Sequence, residues 1–316
     1  MNIDPACLAD NQDNLHVVVT DFNGFDQTRR CLQALRISQF QHFTTLVVDH
    51  GNDGRTRVGL TQEFPEVIRI EGSPILWWTG ATNLGIQAAL AQGAKKVMLL
   101  NNDCYVTPET LDTLLRQAQK HPCAIIAPIQ RDWHTGKVTS IGLRSFFLLG
   151  FPTVPCPRTL TTTMAKQELL PVDLIGGGRG VILSSASFAR LGLFDASAFP
   201  HYYADHDFYL RARRQGIPLY VATRAYVDID DSHTSLANRP EALTLRKFIH
   251  SLRSTQSHRN LRDITTLFRR HYPIPRLYLI GVMLYTGRYL LVYLIKRSKF
   301  LLGARRYKRN EIPLSL

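Results

Sequence analysis

The sequence predicts an α/β fold in which helices flank a mostly parallel, doubly wound sheet. Short apolar runs recur at 16–20, 46–48, 67–70 and 97–100. A helical pattern or a turn follows each run, so strand and helix alternate four times within about 120 residues, which is typical of this fold class. The runs are also uninterrupted rather than alternating, as expected for strands that are buried on both faces. The 316 residues suffice for one large domain or for a domain with an appendage.

The first two strands precede turns that are rich in Asn, Asp and Gly. The run HVVVT at His16–Thr20 leads through DFNGFD into an amphipathic helix. That helix is expected to bury Cys31, Leu32, Leu35 and Ile37. The second strand, Leu46–Val48, ends on Asp49 and continues into the turn DHGNDG. Both turns are therefore predicted to lie at the carboxyl edge of the sheet.

The next two strands carry the longer connections. Val67–Ile70 predicts a third strand, and WWTGATNLGIQAALAQG is interpreted as a loop that enters a helix. Val97–Leu100 predicts a further strand, and a helix follows from Pro108 to Lys120 with Thr107 at its start. Proline suits the first helical position because its missing N–H has no partner there.

The middle of the chain is less regular. Ile125–Pro128 predicts one strand within 124–172. The glycine run Gly176–Gly180 lacks both the Lys-Ser/Thr of a phosphate loop and a GxGxxG pattern, which favours close backbone packing around a ligand over phosphate binding. A helix is predicted from Asp205 to Gln215, with Asp205 in the first turn, where the helix dipole stabilises a carboxylate. Its inward side chains are expected to be Phe208, Leu210 and Ala212.

Composition narrows the class of protein. The five cysteines are scattered and form no C-x-x-C pair, so the sequence indicates neither a disulfide framework nor a zinc site and favours a reducing cytosol. The start MNIDPACLADNQDN is polar and acidic, unlike a signal peptide. The net charge of +13 is concentrated near the end, because ten Arg and three Lys against one Asp give +12 between Arg259 and Arg309.

The stretch KKVMLLNNDCYV, Lys95–Val106, is the strongest single pointer to a site. An apolar run stops there on Asn101, Asn102 and Asp103. Open α/β sheets bind ligands at the carboxyl ends of their strands, and a carboxylate there can hold a hard cation against a phosphate. Taken alone, the same residues equally predict an ordinary Asn/Asp turn.

The order and spacing of several motifs resemble the inverting family-2 glycosyltransferases of the glycosyltransferase A fold, across roughly 15–231. VVVTDFNGFDQTRRCLQAL is similar to the family's opening strand and helix, VVDHGNDG to its second strand, and WWTGATNLG to its Gly and Asn loop. LLNNDCYVTPETL resembles the Asn-x-Asp version of its metal motif, and GLFDASAFPHYYADHDFYLRARRQG its acceptor and catalytic-base segment. Among its members, the chain looks like bacterial polysaccharide transferases or rhamnosyltransferases.

The resemblance implies a nucleotide-diphosphate sugar as donor and Mg2+ or Mn2+ as cofactor. Asp103 would bind the cation, which lowers the cost of expelling the diphosphate. Asn101 stands where many relatives have a first carboxylate, so the cation would depend more on the nucleotide. The implied donor-binding residues are Thr20, Asp21, Asn23, Asp49, Asn83, Asn101 and Asn102.

The resemblance also implies a catalytic base. Asp205 would take the proton of the acceptor hydroxyl as that oxygen attacks the anomeric carbon, which inverts its configuration. Asp207 is a second candidate for the base, and a plain helix cap is the alternative for Asp205. The implied acceptor-binding residues are Gly177, Gly178, Arg179, Tyr203 and Asp207. Ala204 stands where relatives often have Glu, which affects acceptor contacts more than catalysis.

Two further features leave alternatives open. In AYVDIDDSHTS, either Asp228 or His233 would complete the metal shell: His233 supplies the expected chemistry, whereas Asp228 lies closer to the expected distance past the base helix. Trp77 and Trp78 either stack on a sugar or base or belong to the core.

The basic tail contains an apolar stretch, Leu277–Ile295, that is interrupted by Arg288. Its length is just enough to cross a bilayer, but a central arginine makes a span costly. Helices that lie on an anionic membrane surface are therefore favoured over a span or over packing against the catalytic domain. No nucleic-acid partner is expected.

The resulting hypothesis divides the chain into a polar segment (1–14), a catalytic domain (15–235) and a helical, basic, membrane-associating region (236–316). The predicted activity is metal-dependent, hexosyl-type transfer to a lipid-linked or polysaccharide acceptor in cell-envelope biosynthesis. The predicted location is cytoplasmic, peripheral on the inner face of the cell membrane. The alternatives are an inactive sugar- or membrane-binding scaffold and a sugar nucleotidyltransferase, but the latter needs a Gly-rich, basic loop after the first strand, which DFNGFD is not.

Overall fold

A computed structural model describes residues 14–230, 232 and 244–310, the last ten of these by backbone only. The chain divides into two compact units. The first unit comprises 1–145 and 153–231, and the second comprises 146–152 and 232–316. The predicted boundary after residue 235 lies outside the described residues. The domain division made from the sequence therefore stays a prediction.

Among the described residues, the strands form a ten-stranded mixed sheet and a separate two-stranded sheet. The strands of both sheets are β1 (Leu15–Asp21), β2 (Phe43–Asp49), β3 (Ile68–Glu71), β4 (Lys96–Asn101), β5 (Cys104–Val106), β6 (Ile125–Asp132), β7 (Val138–Ser140), β8 (Leu143–Phe146), β9 (Phe151–Pro155), β10 (Leu169–Pro171), β11 (Arg179–Ser184) and β12 (Leu219–Ile229). The order across the large sheet is β10-β12-β6-β11-β4-β1-β2-β3, with β5 on β12 and β7 on β6. The strands β8 and β9 form the small sheet.

Helices connect these strands and cover the sheet. In the first unit they are α1 (Phe25–Arg36), α2 (Arg55–Glu63), α3 (Trp77–Ala91), α4 (Thr110–Lys120), α5 (Thr162–Ala165), α6 (Ser185–Leu191) and α7 (Ala204–Arg214). The second unit contains α8 (Leu245–Ser251), α9 (Leu261–His271) and α10 (Tyr278–Asn310). The predicted α/β fold, with a helical C-terminal extension, is confirmed.

Strand register brings the first candidate residues to one edge. Strands β1, β2, β3 and β4 are parallel to one another, with Asp21 opposite Asp49 and Thr20 opposite Asn101. Strand β11 runs antiparallel between β4 and β6, so the far half of the sheet is mixed rather than parallel. The motifs that end β1, β2 and β4 therefore meet at the carboxyl edge of the parallel half.

Several local predictions are confirmed and three are wrong. Cys31, Leu32 and Leu35 are buried on α1, and Phe208, Leu210 and Ala212 are buried on α7, as predicted. Ile37 is instead 66% exposed, because α1 ends at Arg36 and Ile37 follows as its C-cap. The predicted Trp-Gly loop is helical from Trp77 onward, and α4 begins at Thr110, two residues after Pro108.

The cysteines are mostly inert core residues. Cys31, Cys104 and Cys156 are buried and free. Cys123 is disulfide-bonded, which the scattered spacing did not predict. Cys7, the remaining cysteine, lies outside the described residues.

The second unit is held together by aromatic packing. Phe248 of α8 stacks on Tyr293 of α10, with ring centroids 4.0 Å apart and planes 13° from parallel. Phe268 of α9 lies 6.1 Å from Tyr285 of α10. Within the described residues, one helical stretch of 26 residues, Pro275–Phe300, is long and apolar enough to cross a membrane.

Candidate active site

The turn after β1 is organised by a buried carboxylate. Asp21 is fully buried, and its oxygens accept hydrogen bonds from the backbone N–H of Gly24, at 2.9 Å, and from the hydroxyl of Thr28. Burial raises the pKa of Asp21, while these hydrogen bonds oppose the rise. Asp21 therefore shapes the turn that faces the site, and its carboxylate is already occupied by protein donors.

Asn23 links this turn to the one that follows β2. Its side-chain oxygen accepts from the backbone N–H groups of Asn52, at 2.9 Å, and of Asp53, at 3.2 Å. Its backbone φ is +55°, a left-handed conformation that non-glycine residues adopt at a cost and that clusters at functional sites. Nearby, Asp49 accepts a 2.7 Å hydrogen bond from Nε of Arg69, and Thr20 is buried in β1.

The end of β4 places its two asparagines in structural roles. The Nε1–H of Trp78 donates to Oδ1 of Asn101 over 3.0 Å. The amide of Asn102 donates to the hydroxyl of Thr28 over 3.1 Å, which ties the β4 turn to helix α1. The sequence left the role of Trp78 open between stacking on a ligand and packing in the core. In the structure, Trp78 forms a hydrogen bond with Asn101.

Asp103 is the carboxylate left for a ligand. Its Oδ1 lies 3.2 Å from the thiol of Cys104, and its backbone oxygen accepts from the N–H of Asp230 over 2.9 Å. Burial raises the pKa of Asp103, and the positive charge of Arg179 partly offsets that rise. A buried carboxylate with a raised pKa gains from a bound cation, because the cation compensates the cost of desolvation.

The glycine run connects the metal motif to the proposed base. The backbone N–H of Asn101 donates to the oxygen of Gly178 over 2.8 Å, and the N–H of Gly177 donates to Oδ2 of Asp205 over 2.8 Å. A Cβ on Gly178 would lie 3.1 Å from the Trp78 ring, so the backbone approaches that ring closely. The close packing around a ligand that the sequence suggested stays a prediction. Asn101 is therefore connected to Asp205 through these two hydrogen bonds and the peptide unit between Gly177 and Gly178.

Asp205 is buried in the first turn of α7. The residue before the helix, Tyr203, has a φ of +69°, a second strained position at the site. The Nδ1 atom of His206, a neighbour that sequence reasoning missed, lies 3.2 Å from Oδ1 of Asp205. Burial opposes ionisation, but His206 and the hydrogen bond from Gly177 outweigh it and hold the pKa of Asp205 below its usual value. These contacts therefore favour the charged form of the carboxylate.

Asp207 lies on the same helix but faces a different environment. It is fully buried, and its Oδ2 accepts a 2.9 Å ion-paired hydrogen bond from Nε of Arg211, one turn later. This ion pair fixes α7 rather than presenting a base to a substrate. Arg179 donates to Oε1 of Gln130 over 3.1 Å, at the side of the site that includes Asp103.

Two predicted residues are engaged with distant parts of the chain. Both polar atoms of the Asn83 amide bind the backbone of Phe194, at 2.8 and 3.1 Å, and so clamp α3 to the segment before α7. Asp228 receives a two-pronged hydrogen bond from Arg131, at 2.8 and 2.9 Å. His233 lies outside the described residues.

The residues fit a cation that is shared with a ligand. Among the described residues, no group of three or more His, Cys, Asp or Glu side chains lies close enough to hold a metal ion. Asp103 offers a half-buried carboxylate, whereas the Asn101 oxygen already accepts a hydrogen bond from Trp78. A divalent cation there would need ligand oxygens from a bound diphosphate.

The comparison with known families agrees with this geometry. The family model described as Glycosyl transferase family 2 matches residues 16–184, which is more than half of the chain and extends from the second residue of β1 to the end of β11. The chain belongs to glycosyl transferase family 2. In this family-2 glycosyltransferase, the matched region contains the β1 and β2 turns, Asp103 and the glycine run.

Curated relatives resemble about half of this family-2 glycosyltransferase. Uncharacterized proteins of Mycobacterium tuberculosis and Mycobacterium bovis are 26% identical to it over 160 residues, which is 48% of this chain and 53% of theirs. The chain thus spans about half the length of the curated relatives it matches.

Solved structures share the fold of this family-2 glycosyltransferase. GalNAc-T7, determined with UDP, GalNAc and Mn2+, has a TM-score of 0.57 at 14% identity, over 84% of this chain and 59% of that one. Staphylococcus aureus TarS 1–349 has a TM-score of 0.52 at 11% identity, and its complex with UDP 0.51 at 14%, each over 92% of both chains. The glycosyltransferase A fold predicted from the sequence is therefore confirmed.

Proposed function

We propose that this family-2 glycosyltransferase transfers a hexosyl-type sugar from a nucleotide-diphosphate sugar to a lipid-linked or polysaccharide acceptor, with inversion at the anomeric carbon. The observation that carries the proposal is the short path from Asn101 through Gly178 and Gly177 to Asp205. It joins a metal and diphosphate motif to a buried, ionised carboxylate. Glycosyl transfer needs both, one for the leaving group and one for the nucleophile.

Asp205 acts as the general base in this proposal. Its low pKa keeps it ionised at neutral pH, and the N–H of Gly177 fixes the carboxylate. The acceptor hydroxyl gives its proton to this carboxylate as its oxygen attacks the anomeric carbon from the face opposite the diphosphate. A single in-line displacement inverts the configuration, and the fixed carboxylate supplies the orientation that the step requires.

Asp103 is the residue that would hold Mg2+ or Mn2+ at the diphosphate. The cation supplies positive charge that stabilises the leaving diphosphate. Asp103 is the single carboxylate of the motif, because residue 101 is an asparagine. The side-chain oxygen of Asn101 already accepts a hydrogen bond from Trp78. Cation binding is then coupled to nucleotide binding, and the solved relative with UDP and Mn2+ supports this reading of the fold.

The lipid-linked or polysaccharide acceptor and the peripheral location at the cell membrane belong to the same proposal. They are supported by the apolar stretch Pro275–Phe300 and by the +12 charge of the surrounding tail. An enzyme that elongates an acceptor embedded in a membrane meets that acceptor at the bilayer surface.

A screen of nucleotide sugars tests the proposal. Each candidate donor is added to the full chain with Mn2+ or Mg2+, and binding is read as a rise in Tm, since a ligand that binds only the folded state stabilises it. Release of nucleoside diphosphate from the best donor then reports turnover. A donor that raises Tm with metal and is turned over supports the enzyme, whereas neither binding nor turnover across the screen favours the inactive scaffold.

A further inference from the structure

A short hairpin segment belongs to the second unit. Residues 146–152 include the tip between β8 and β9, and they cluster with 232–316 rather than with their sequence neighbours. The Phe147 ring meets Phe268 of α9 edge-on at 5.2 Å. At Gly150, where φ is +71°, a Cβ would lie 2.7 Å from the Cβ of Leu284. The hairpin backbone therefore lies directly on α10, and glycine is required for that contact.

Arg288, the one charged residue between Leu277 and Ile295, faces this hairpin. The guanidinium of Arg288 lies 4.0 Å from the centre of the Phe151 ring and 5.7 Å from the rings of Tyr285 and Tyr289. Cation–π contacts of this kind stabilise an arginine that is withdrawn from water. The outward face of α10 is thereby left without a charge over 279–295.

The exposed side chains of α10 from Leu279 to Ile295 are apolar, whereas the exposed side chains of a helix in a water-soluble unit are mostly polar. Between Leu279 and Ile295, each exposed residue is Leu, Ile, Met or Val, apart from Gly287. Met283 is 65% exposed, and at the hairpin tip Leu149 is 64% exposed, next to Phe146 and Leu148. Asp263 of α9, by contrast, is buried. A cluster of exposed large apolar side chains is typical of a surface that contacts lipid or protein.

The charges on the neighbouring helices favour α10 lying on an anionic lipid surface over α10 crossing the bilayer. Helices α8 and α9 pack on α10 through Phe248, Phe268 and their tyrosine partners. These helices expose Arg246, Lys247, Arg262 and Arg269. If α10 crossed a bilayer in this arrangement, it would carry those cations into the hydrocarbon at a cost of several kcal/mol each. With α10 lying flat, the same cations meet lipid headgroups.

We infer that the second unit is a monotopic membrane module and that its partner is an anionic phospholipid bilayer. The surface that faces the hydrocarbon combines the outer face of α10, from Leu279 to Ile295, with Phe146, Leu148 and Leu149 of the hairpin tip. The hairpin adds an insertion element nearly 130 residues before the helix it supports. The biological role of this surface rests on the proposed function, in which the acceptor is bound to a membrane. Lipid binding itself requires neither donor nor acceptor.

Vesicle flotation of the full chain tests the surface directly. Wild-type protein is mixed with phosphatidylcholine vesicles that contain or lack phosphatidylglycerol, without nucleotide sugar. We expect flotation with the anionic vesicles, and a fall of about tenfold or more in partitioning for Leu149→Glu and for Met283→Glu, because each places a charge where an apolar side chain enters the bilayer. Ile37→Glu is the matched control, since Ile37 is 66% exposed in the first unit, and it should bind as wild type.

The opposite results are equally clear. Wild-type vesicle binding by both Leu149→Glu and Met283→Glu overturns the surface, provided that far-UV circular dichroism shows both variants folded. Protein that resists extraction from vesicles by alkaline carbonate overturns the monotopic arrangement in favour of a span. A dimer that Leu149→Glu converts to a monomer, with vesicle binding unchanged, shows that the face binds a second copy instead. Vesicle binding without any donor turnover contradicts the proposed function and leaves this inference standing.

Discussion

Replacing Asp205 with Asn isolates the proposed base from its structural role. The Asn side chain keeps an oxygen that can accept the 2.8 Å hydrogen bond from the N–H of Gly177. The folded state should lose mainly the charged contact with His206, at a cost of about 1–3 kcal/mol. The variant cannot accept the proton of the acceptor hydroxyl, so transfer should fall by about 10² to 10⁴, which raises the barrier by about 3–5 kcal/mol.

The assay compares transfer and donor binding in one preparation. Nucleoside diphosphate release in the presence of acceptor reports transfer, and the rise in Tm with donor and Mn2+ reports binding, which should stay near wild type. The control is Asp207→Asn, two residues along α7, which breaks the buried ion pair with Arg211. It should lower stability by about 1–3 kcal/mol and preserve transfer per folded molecule. If Asp205→Asn kept more than a tenth of wild-type transfer, or if only Asp207→Asn lost it, the assignment of the base would be wrong.

Three further outcomes follow from the same geometry. Asp103→Asn should abolish the metal-dependent part of donor stabilisation in a Tm titration, and an unchanged Mn2+ response would place the cation elsewhere. Because the pKa of Asp205 is lowered, the rate of transfer at saturating Mn2+ should not fall between pH 7 and pH 5. Because the pKa of Asp103 is raised, the apparent affinity for Mn2+ should weaken as the pH falls. A rate that falls over this pH range at saturating Mn2+ would contradict the assignment. Gly59→Ala should cost about 1–3 kcal/mol in chemical denaturation, because its Cβ would lie 2.0 Å from the buried Phe25 ring; wild-type stability would show that the ring moves freely.

The positions of individual side chains in the candidate site could be predicted from the sequence only where they depend on neighbouring residues. Asp205 could be placed in the first turn of a helix because that helix is a local element, in which the buried Phe208 and Ala212 lie one turn apart. The carboxyl-edge position of Asp103 likewise follows from the apolar run that precedes it. Asn83 and Asp228 show the opposite case. Their partners, Phe194 and Arg131, are 111 and 97 residues away, so no local pattern reports that their polar atoms are already occupied.

The sequence by itself determined the α/β class, the strand that ends on Asp49, the strand that precedes Asp103, and the family, because apolar runs and motif order lie in contiguous residues. The tertiary structure alone decided that Trp78 binds Asn101, that Gly177 holds Asp205, and that a hairpin 130 residues upstream joins α10. The physical reason is that strand register and close backbone approach are set by packing between distant segments, which no spacing along the chain encodes.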